Sequence, residues 1–385
     1  MTPESDDPKP LRLVVLMALS SPWSRLIVEQ LAALGIVVHV VDFERRGTIP
    51  GYMDATAQAQ IAHAKQLESH VEAVHRVATP RFILLRLLDS ARSLRRIVAR
   101  NNADVVLTLY GGSYAATAFL SGVRPYVVYV VGSDVLLATG FEKQIARMTL
   151  NRATRVIANG AFLARKTAEL APRASVSPLY LGVDVEAHRP AATLPSVPTF
   201  ICTRGFLPVY DNDTIVRSLT HLGDELLGIT VSFLSTGPLL AAAITTADEL
   251  FTGELRERII FRGGVSDAEM KPALRSASFY ISASLSDGTS SSLLEAMAGG
   301  LFPILSDIPA NREWITHGEN GLLFPPSDSL ALAACIRRAI ANEPWIAPAR
   351  LHNRRLVEER ADATVSMAAL VELLTSFRRG GAVAC

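Results

Sequence analysis

The order of apolar and polar residues along the chain predicts a repeated alternation of strands and helices. Short, continuous apolar runs indicate buried strands, and apolar residues spaced three or four apart indicate helices. In the first half, these patterns predict strands at residues 11–19, 36–43, 104–109, 126–131 and 155–158, and helices at residues 24–34, 82–99, 114–121 and 161–170. Because strands and helices alternate at this spacing, we expect βαβ units and a parallel sheet.

Three prolines within residues 190–198 interrupt the alternation and predict a linker between two domains. Beyond it, the patterns predict strands at residues 199–203, 230–235, 259–262, 278–283 and 302–305, and helices at residues 213–222, 267–275, 291–298, 329–341 and 348–379, the last broken near residue 361. We therefore expect an α/β protein with two tandem, doubly wound, Rossmann-like domains at residues 1–190 and 198–360. Residues 361–385 form a C-terminal helix and tail that we expect to pack toward the first domain. Ligands of such sheets bind beyond the carboxyl ends of the strands, so the expected site is an interdomain cleft.

Composition excludes several classes of protein. The 385 residues are 49% hydrophobic and 19% charged, which is enough apolar content for large cores and too much for a disordered chain. The longest apolar runs are far shorter than the ~20 residues of a membrane-spanning helix. The three cysteines are widely spaced and predict neither a disulfide framework nor a metal site. The acidic, proline-containing N-terminus is unlike a secretory signal, so we expect a cytoplasmic protein.

Charge is distributed unevenly along the chain, although the net charge is only +1. Residues 1–190 carry 22 Lys and Arg against 16 Asp and Glu, whereas residues 191–385 carry 16 against 21. This weak asymmetry argues against nucleic-acid binding and leaves the first domain suited to an anionic surface. Within it, residues 81–100 combine apolar helical spacing with six arginines. They form either an amphipathic helix on a membrane surface or an ordinary packed helix with solvated arginines.

The strongest chemical signal is a Gly/Ser-rich turn between the strand at 278–283 and the helix at 291–298. Backbone N–H groups from Gly288 to Ser292, with the positive end of the helix, make an anion site suited to a diphosphate. Asp287 precedes this turn and Glu295 follows eight residues later, where carboxylates can accept hydrogen bonds from sugar and ribose hydroxyls. The alternative is purely local: Ser292 and Glu295 would form a capping box, and Asp287 would sit in an ordinary turn.

The same segment resembles the signature of glycosyltransferase family 4, also called glycosyl transferases group 1. That signature is a first Glu, seven residues, then Glu-Ala-Met-Ala-x-Gly-x-Pro. Here the corresponding residues are Asp287, seven further residues, and the segment from Glu295 to Pro303. The resemblance is strongest over residues 155–340. It implies a GT-B fold, in which residues 1–190 bind the acceptor and residues 198–360 bind the nucleotide sugar. It also implies a nucleotide-sugar donor, retention of anomeric configuration and no required metal or other cofactor.

Two positions near the implied diphosphate site depart from the family pattern. The first carboxylate is Asp287, one methylene shorter than the usual Glu. Arg204 matches the arginine of the family's diphosphate clamp, but Tyr210 stands near the position of its lysine. Arg204 suits a leaving diphosphate because its charge does not titrate away. Its alternative is a surface ion pair with Asp211 or Asp213.

The first domain carries a further candidate, Asp134, which the resemblance places in a Gly-Ser-Asp loop. It would contact acceptor or donor, or else cap a helix. Val131 replaces the family's His, and Ser20 and Ser21 replace a glycine pair. Residues 110–113 would line the same cleft or form a tight turn before a helix.

Other signatures are missing from the sequence. It contains no kinase-type phosphate loop, no Gly-x-Gly-x-x-Gly and no His-x-x-x-His pair. We expect His63, His70 and His75 to lie on one polar helical stretch and to be solvated rather than metal ligands.

The resemblance therefore implies a retaining, hexosyltransferase-like enzyme (EC 2.4) that moves a sugar from a nucleotide-sugar donor to an acceptor hydroxyl in glycan, polysaccharide or glycolipid synthesis. The catalytic candidates are Asp287, Arg204 and Asp134. The donor-binding candidates are Glu295, Gly288, Thr289, Ser290, Ser291, Ser292, Arg262 and Gly263. The expected partners are the donor, a glycan or lipid-linked acceptor, and the inner face of a membrane touched peripherally by the first domain. The alternative is a catalytically silent GT-B protein that binds a nucleotide or scaffolds another glycosyltransferase.

Overall fold

The structure is a computed structural model that describes residues 9–19, 22–43, 69–77, 83–193, 195–341 and 344–378. Ser20, Ser21 and His63 lie outside these residues. The chain divides into two compact units. Among the described residues, the first unit contains those up to Leu179 and those from Val365 onward, and the second runs from Tyr180 to Thr364.

The first unit is built on a seven-stranded sheet with the order β3-β2-β1-β4-β5-β6-β7. Its strands are β1 (Arg12–Leu16), β2 (Val37–Phe43), β3 (Ala73–Val77), β4 (Val105–Leu109), β5 (Tyr126–Val130), β6 (Arg155–Ala158) and β7 (Val176–Pro178). Every neighbouring pair is parallel. The central strands β4 and β5 are buried along their whole length, which explains their largely apolar, Val-rich sequences.

The described helices of the first unit are α1 (Pro22–Ala33), α2 (Ile83–Arg100), α3 (Ser113–Ser121), α4 (Ser133–Leu136), α5 (Gly140–Leu150) and α6 (Ala161–Leu170). Five of them, all but α1, contribute to one core on one face of the sheet. That core contains Leu94 and Val98 of α2, Tyr114 and Ala118 of α3, Val135 of α4, Ala146 and Leu150 of α5, and Leu163 of α6, together with side chains of the strands.

The second unit is built on a six-stranded parallel sheet with the order β10-β9-β8-β11-β12-β13. Its strands are β8 (Thr199–Cys202), β9 (Thr230–Phe233), β10 (Ile259–Phe261), β11 (Phe279–Ser282), β12 (Phe302–Ser306) and β13 (Leu322–Phe324). Alternate side chains enter separate cores on the two faces: Phe200 and Ile281 lie in one, and Ile201 and Tyr280 in the other.

The described α-helices of the second unit are α7 (Asn212–Ser218), α8 (Leu240–Leu250), α9 (Gly253–Glu257), α10 (Asp267–Arg275), α11 (Ser291–Ala298), α12 (Ser329–Ile340) and α13 (Ile346–Ala361). Helix α14 (Ala363–Ser376) follows, and from Val365 onward it belongs to the first unit. The predicted break near residue 361 is confirmed, because Asp362 has extended backbone between α13 and α14. There, the backbone N–H of Val183 donates to the carbonyl oxygen of Ala361, and the N–H of Ala363 donates to the carbonyl oxygen of Val183. Gly182 allows this approach, since a Cβ would lie 2.8 Å from the Ala361 carbonyl oxygen.

The prediction of two parallel-sheet α/β domains is confirmed, with some elements missed. The expected helical stretch through His75 is wrong, since His75 lies in β3, a half-buried edge strand whose polar residues hid it. Helices α5 and α8 were not predicted. The predicted linker at 190–198 lies within the second unit, and the proposed functions of the two domains stay predictions. No described helix has both the length and the apolar character needed to cross a bilayer.

Candidate functional site

The candidate site of the second unit lies where two neighbouring strands end. Strands β8 and β11 are adjacent and parallel, so the loops that follow them leave from the same edge of the sheet. The loop after β8 carries Arg204, and the loop after β11 carries Asp287 and leads into α11. The topology therefore brings together candidates that are 83 positions apart in sequence.

Arg204 makes three contacts with these loops. Its Nη2 donates to Oδ2 of Asp287 over 2.7 Å, and its Nη1 donates to Oγ of Ser290 over 3.0 Å. The guanidinium carbon lies 3.9 Å from the centre of the Tyr210 ring. The alternative of a surface ion pair with Asp211 or Asp213 is wrong, because Arg204 is only 9% exposed and Asp213 pairs with Arg217.

The surroundings of Arg204 favour its charged form. Burial opposes the charge, yet the adjacent Asp287 carboxylate raises the pKa of Arg204 above the ordinary arginine value. The Tyr210 ring adds a cation–π contact on one face of the guanidinium. Its Nε is buried without a hydrogen-bond partner among the described residues. Arg204 is thus a fixed positive charge at the edge of the sheet.

Two features hold the loop that carries Arg204. Asn212, at the start of α7, donates from Nδ2 to the carbonyl oxygens of Arg204 and Gly205 over 3.3 and 3.1 Å. Gly237, in the loop after β9, packs directly on the backbone of Phe206, where a Cβ would lie 2.6 Å from the carbonyl oxygen. Neither residue was predicted from the sequence. The sequence feature that could have drawn attention to Gly237 is the Gly-Pro pair that it begins, directly after a predicted strand.

Helix α11 is not capped by Ser292 and Glu295, the capping box that the sequence also allowed. Ser290 is the N-cap, and its Oγ accepts the backbone N–H of Leu293 over 3.3 Å. Ser292 and Glu295 therefore do not form a capping box, and Glu295 lies half-buried in the second turn. The first N–H groups of a helix lack intrahelical partners, which supports an anion site around the turn.

The remaining donor-binding candidates lie at the same edge of the sheet but follow different strands. Gly288 and Thr289 are buried in the turn before α11, and Ser291 and Ser292 open the helix. Arg262 and Gly263 follow β10, two strands away from β8 in the sheet. Arg262 is exposed, and Gly263 has a positive φ of 70° that favours glycine. Contact of these residues with a donor stays a prediction.

Asp134 lies in the first unit and is held by backbone groups. Its Oδ2 accepts from the N–H of Gly111 over 2.6 Å, and its Oδ1 accepts from the N–H of Gly132 over 2.9 Å. Gly132, not Asp134, is the N-cap of α4. Asp134 is 4% exposed, and burial raises its pKa against the opposing effect of these N–H donors. Through these contacts Asp134 connects the loop after β4 with the loop after β5. Its contact with a substrate stays a prediction.

Other reactive groups in the described residues are less suited to chemistry. Burial raises the pKa of Cys202 to about 11, so its thiol remains protonated at neutral pH. Within the described ranges, no three His, Cys, Asp or Glu residues are grouped as metal ligands would be.

The tight-turn interpretation of residues 110–113 is supported, because Gly112 is the N-cap of α3.

Comparison with known proteins identifies the architecture. A model described as Glycosyltransferase Family 4 matches residues 25–187, and one described as Glycosyl transferases group 1 matches residues 210–342. Sucrose-phosphate synthase from Thermosynechococcus elongatus superposes with a TM-score of 0.76 at 16% identity, covering 95% of this chain and 98% of that one. Anabaena HepE in complex with UDP-glucose superposes with a TM-score of 0.77 at 17% identity, covering 95% of this chain and 100% of that one. The fold is GT-B.

Relatives of this GT-B chain are similar over a shorter stretch. Phosphatidyl-myo-inositol mannosyltransferase of Mycobacterium leprae is 33% identical over 173 residues, which is 43% of this chain and 46% of the relative. The amylovoran biosynthesis glycosyltransferase AmsK of Erwinia amylovora is 30% identical over 141 residues, 35% of this chain and 34% of the relative. The chain thus spans less than half the length of these relatives in the aligned regions.

Proposed function

We propose that the chain is a retaining glycosyltransferase that moves a sugar from a nucleotide-sugar donor to an acceptor hydroxyl in glycolipid or polysaccharide synthesis. The observation that carries this proposal is the contact of Arg204 with Asp287 and Ser290 at the start of α11. This arrangement combines a permanent positive charge with the N-terminus of a helix, which suits a diphosphate. Relatives named as a mannosyltransferase and a polysaccharide-biosynthesis glycosyltransferase support the class of reaction.

In the proposed reaction, the bond between the donor sugar's anomeric carbon and the diphosphate oxygen breaks as negative charge grows on the diphosphate. Arg204 and the backbone N–H groups at the start of α11 stabilise that charge. The leaving phosphate oxygen takes the proton of the acceptor hydroxyl, whose oxygen bonds to the anomeric carbon on the same face. The configuration is thereby retained without a protein nucleophile, and we expect no metal requirement.

The acidic residues have separate roles in this proposal. Glu295 accepts hydrogen bonds from the ribose hydroxyls of the donor, since a carboxylate suits a vicinal diol. Asp287 is the counter-ion of Arg204 and faces the donor sugar. Asp134 positions the two loops of the first unit through its backbone contacts.

The direct test is turnover of a panel of UDP-, GDP- and ADP-sugars by the purified protein, with and without EDTA. We expect release of nucleoside diphosphate from one donor class, undiminished by EDTA, with water as the acceptor. NMR spectra recorded before the released sugar mutarotates should show the donor's anomeric configuration. Tight nucleotide binding without turnover of any donor would instead favour the catalytically silent alternative. An inverted product would contradict the proposed mechanism.

A further inference from the structure

Residues 208–212, here called the 208–212 segment, contact loops that follow different strands of the second sheet. Asn212 holds the loop after β8 through the carbonyl oxygen of Arg204. The backbone N–H of Leu285, in the loop after β11, donates to the carbonyl oxygen of Val209 over 2.8 Å. Because β8 and β11 are parallel neighbours, both loops leave from the edge of the sheet that carries the candidate site. The segment therefore connects the two loops that form this site.

Asp211 links the same segment to a third loop. Its Oδ2 accepts from Oγ of Ser327, in the loop after β13, and from Oγ1 of Thr214, each over 2.8 Å. Asp211 stands at the N-cap position of α7, where a carboxylate usually accepts a backbone N–H, yet it makes no such bond. The carboxylate of Asp211 thus binds a distant loop instead of capping its own helix.

The hydrogen bond between Asp211 and Ser327 joins two residues with unfavourable backbone conformations. Asp211 has a φ of 45° and Ser327 a φ of 60°, in the left-handed region that residues other than glycine seldom adopt. Such conformations persist where surrounding contacts require them, and they are concentrated at functional sites. Together with the missing cap, they indicate that this contact serves the arrangement of the loops rather than the stability of α7.

The two sequence neighbours of Asp211 both contact Arg204. The ring of Tyr210 lies 3.9 Å from the guanidinium carbon of Arg204, and Asn212 holds its backbone carbonyl. Asn212 is 4% exposed, and its Oδ1 accepts the thiol of Cys202 over 3.5 Å. Because Asp211 lies between these two residues, a shift of its backbone displaces both contacts with Arg204.

We propose that Asp211 is a positioning residue for Arg204. Its hydrogen bond to Ser327 holds the 208–212 segment in place, and two residues of that segment hold the guanidinium group. The inference rests on the proposed function, which assigns Arg204 to the leaving diphosphate. A displaced guanidinium would meet the growing charge less well, so Asp211 acts on the rate of bond breaking rather than on donor affinity.

Steady-state kinetics of Asp211→Ala and Ser327→Ala test this role. With a nucleotide sugar that the chain turns over, each change should lower kcat roughly tenfold and alter KM by less than about twofold. Asp211→Asn should keep kcat within about twofold, because the amide oxygen can still accept from both hydroxyls and asparagine tolerates a positive φ. An unchanged kcat for Asp211→Ala, or an Asn variant as slow as the Ala variant, would overturn the proposal.

Asp213 offers a matched control on the same stretch of chain. It is an acidic residue two positions from Asp211, and its carboxylate pairs with Arg217. Asp213→Ala should keep the original kcat, although it removes the same charge. An equal fall in kcat for the two Ala variants would overturn the proposal.

The Arg204→Ala chain separates positioning from an independent effect of Asp211. If Asp211 acts through Arg204, adding Asp211→Ala to this chain should lower kcat no further. Equal falls in the presence and absence of Arg204 would contradict the positioning role, since Asp211 would then act by another route.

Thiol labelling tests the 208–212 segment without a donor. Cys202 contacts Asn212 of the segment, whereas the Cys335 thiol of α12 contacts the carbonyl oxygen of Leu323 in β13. Both thiols are buried, and burial raises the pKa of each to about 11, so they are matched in intrinsic reactivity. Asp211→Ala should speed the reaction of Cys202 with N-ethylmaleimide severalfold, measured by peptide mass spectrometry, and leave that of Cys335 unchanged.

The two thiols also distinguish a local change from a loss of folding. Equal acceleration at Cys202 and Cys335 in both Asp211→Ala and Ser327→Ala would indicate general unfolding and overturn the proposal. Melting curves of the variants provide a second measure of their folding. Selective labelling of Cys202 in a chain that turns over no donor would support the hold of Asp211 on the segment and contradict the proposed function alone.

Discussion

Arg204 and Asp287 form a hydrogen-bonded ion pair, with 2.7 Å between Nη2 and Oδ2, across the loops that follow two adjacent parallel strands. Both side chains are largely buried. A carboxylate so close to the guanidinium occupies one of the directions in which Arg204 would otherwise bind a phosphate. The pair therefore holds Arg204 in position, and it would compete with the diphosphate of the proposed donor for the same N–H groups.

Asp287→Asn tests this competition. The change keeps the shape of the side chain and removes its negative charge, so UDP or another bound nucleoside diphosphate should bind severalfold more tightly. Turnover should fall, because the change removes the carboxylate that faces the donor sugar in the proposed reaction. Isothermal titration beside steady-state kinetics measures both effects. Unchanged nucleotide affinity would show that Asp287 does not compete with the diphosphate.

The ring of Tyr210 is expected to orient Arg204 in place of a second positive charge. Tyr210→Leu removes the cation–π contact, which is worth about 0.5–2 kcal/mol, and should lower kcat severalfold. Tyr210→Phe keeps the ring and should restore the original kcat. If the Phe variant is as slow as the Leu variant, the hydroxyl rather than the ring is responsible.

Substitutions at Glu295 and Ser290 should have different effects, the first on nucleotide binding and the second on the stability of the fold. Glu295→Ala should weaken nucleotide binding by about 1.5–3 kcal/mol, because the proposed contact with the ribose hydroxyls loses its charged acceptor. Its melting temperature should change little, since Ser290 and not Glu295 caps α11. Ser290→Ala should instead lower the free energy of unfolding by about 1 kcal/mol. A stable Glu295→Ala protein with full nucleotide affinity would remove Glu295 from the donor site.

The buried His39 predicts that acid destabilises the first unit. Burial, followed by the nearby positive charges of His75 and Arg12, lowers the pKa of His39 from 6.5. The unfolded chain therefore binds a proton more readily than the folded one, so stability is full above pH 6.5 and is lost as the pH falls toward the folded-state pKa. His39→Leu should flatten the fall in melting temperature from about pH 7 to about pH 5. The control is His352→Leu, at an exposed position of α13. If the melting temperature of His39→Leu falls with pH as steeply as that of the original chain, His39 is not the cause of the acid destabilisation.

The sequence predicts the two parallel sheets because their central strands are continuous apolar runs bounded by helices. Strand β3 escapes prediction because it is a half-buried edge strand whose sequence, with His75 and Arg76, lacks such a run. The candidate site was partly predictable: a motif pointed to Asp287 and Glu295, and a resemblance pointed to Arg204. The pairing of Arg204 with Asp287 was not, because it depends on β8 and β11 being neighbours in space. Asn212 and Gly237 act through backbone contacts that leave no local pattern.

Steady-state turnover of the active nucleotide sugar by Arg204→Ala tests the central claim most directly, with the exposed, ion-paired Arg217→Ala as control. In the proposed reaction Arg204 stabilises charge that grows as the bond between sugar and diphosphate breaks, so its loss should appear in kcat more than in KM. The account predicts a fall in kcat of about 10²–10³ for Arg204→Ala, the usual effect of removing one such stabilising group, and none for Arg217→Ala. An Arg204→Ala enzyme with the original kcat and a raised KM would contradict it.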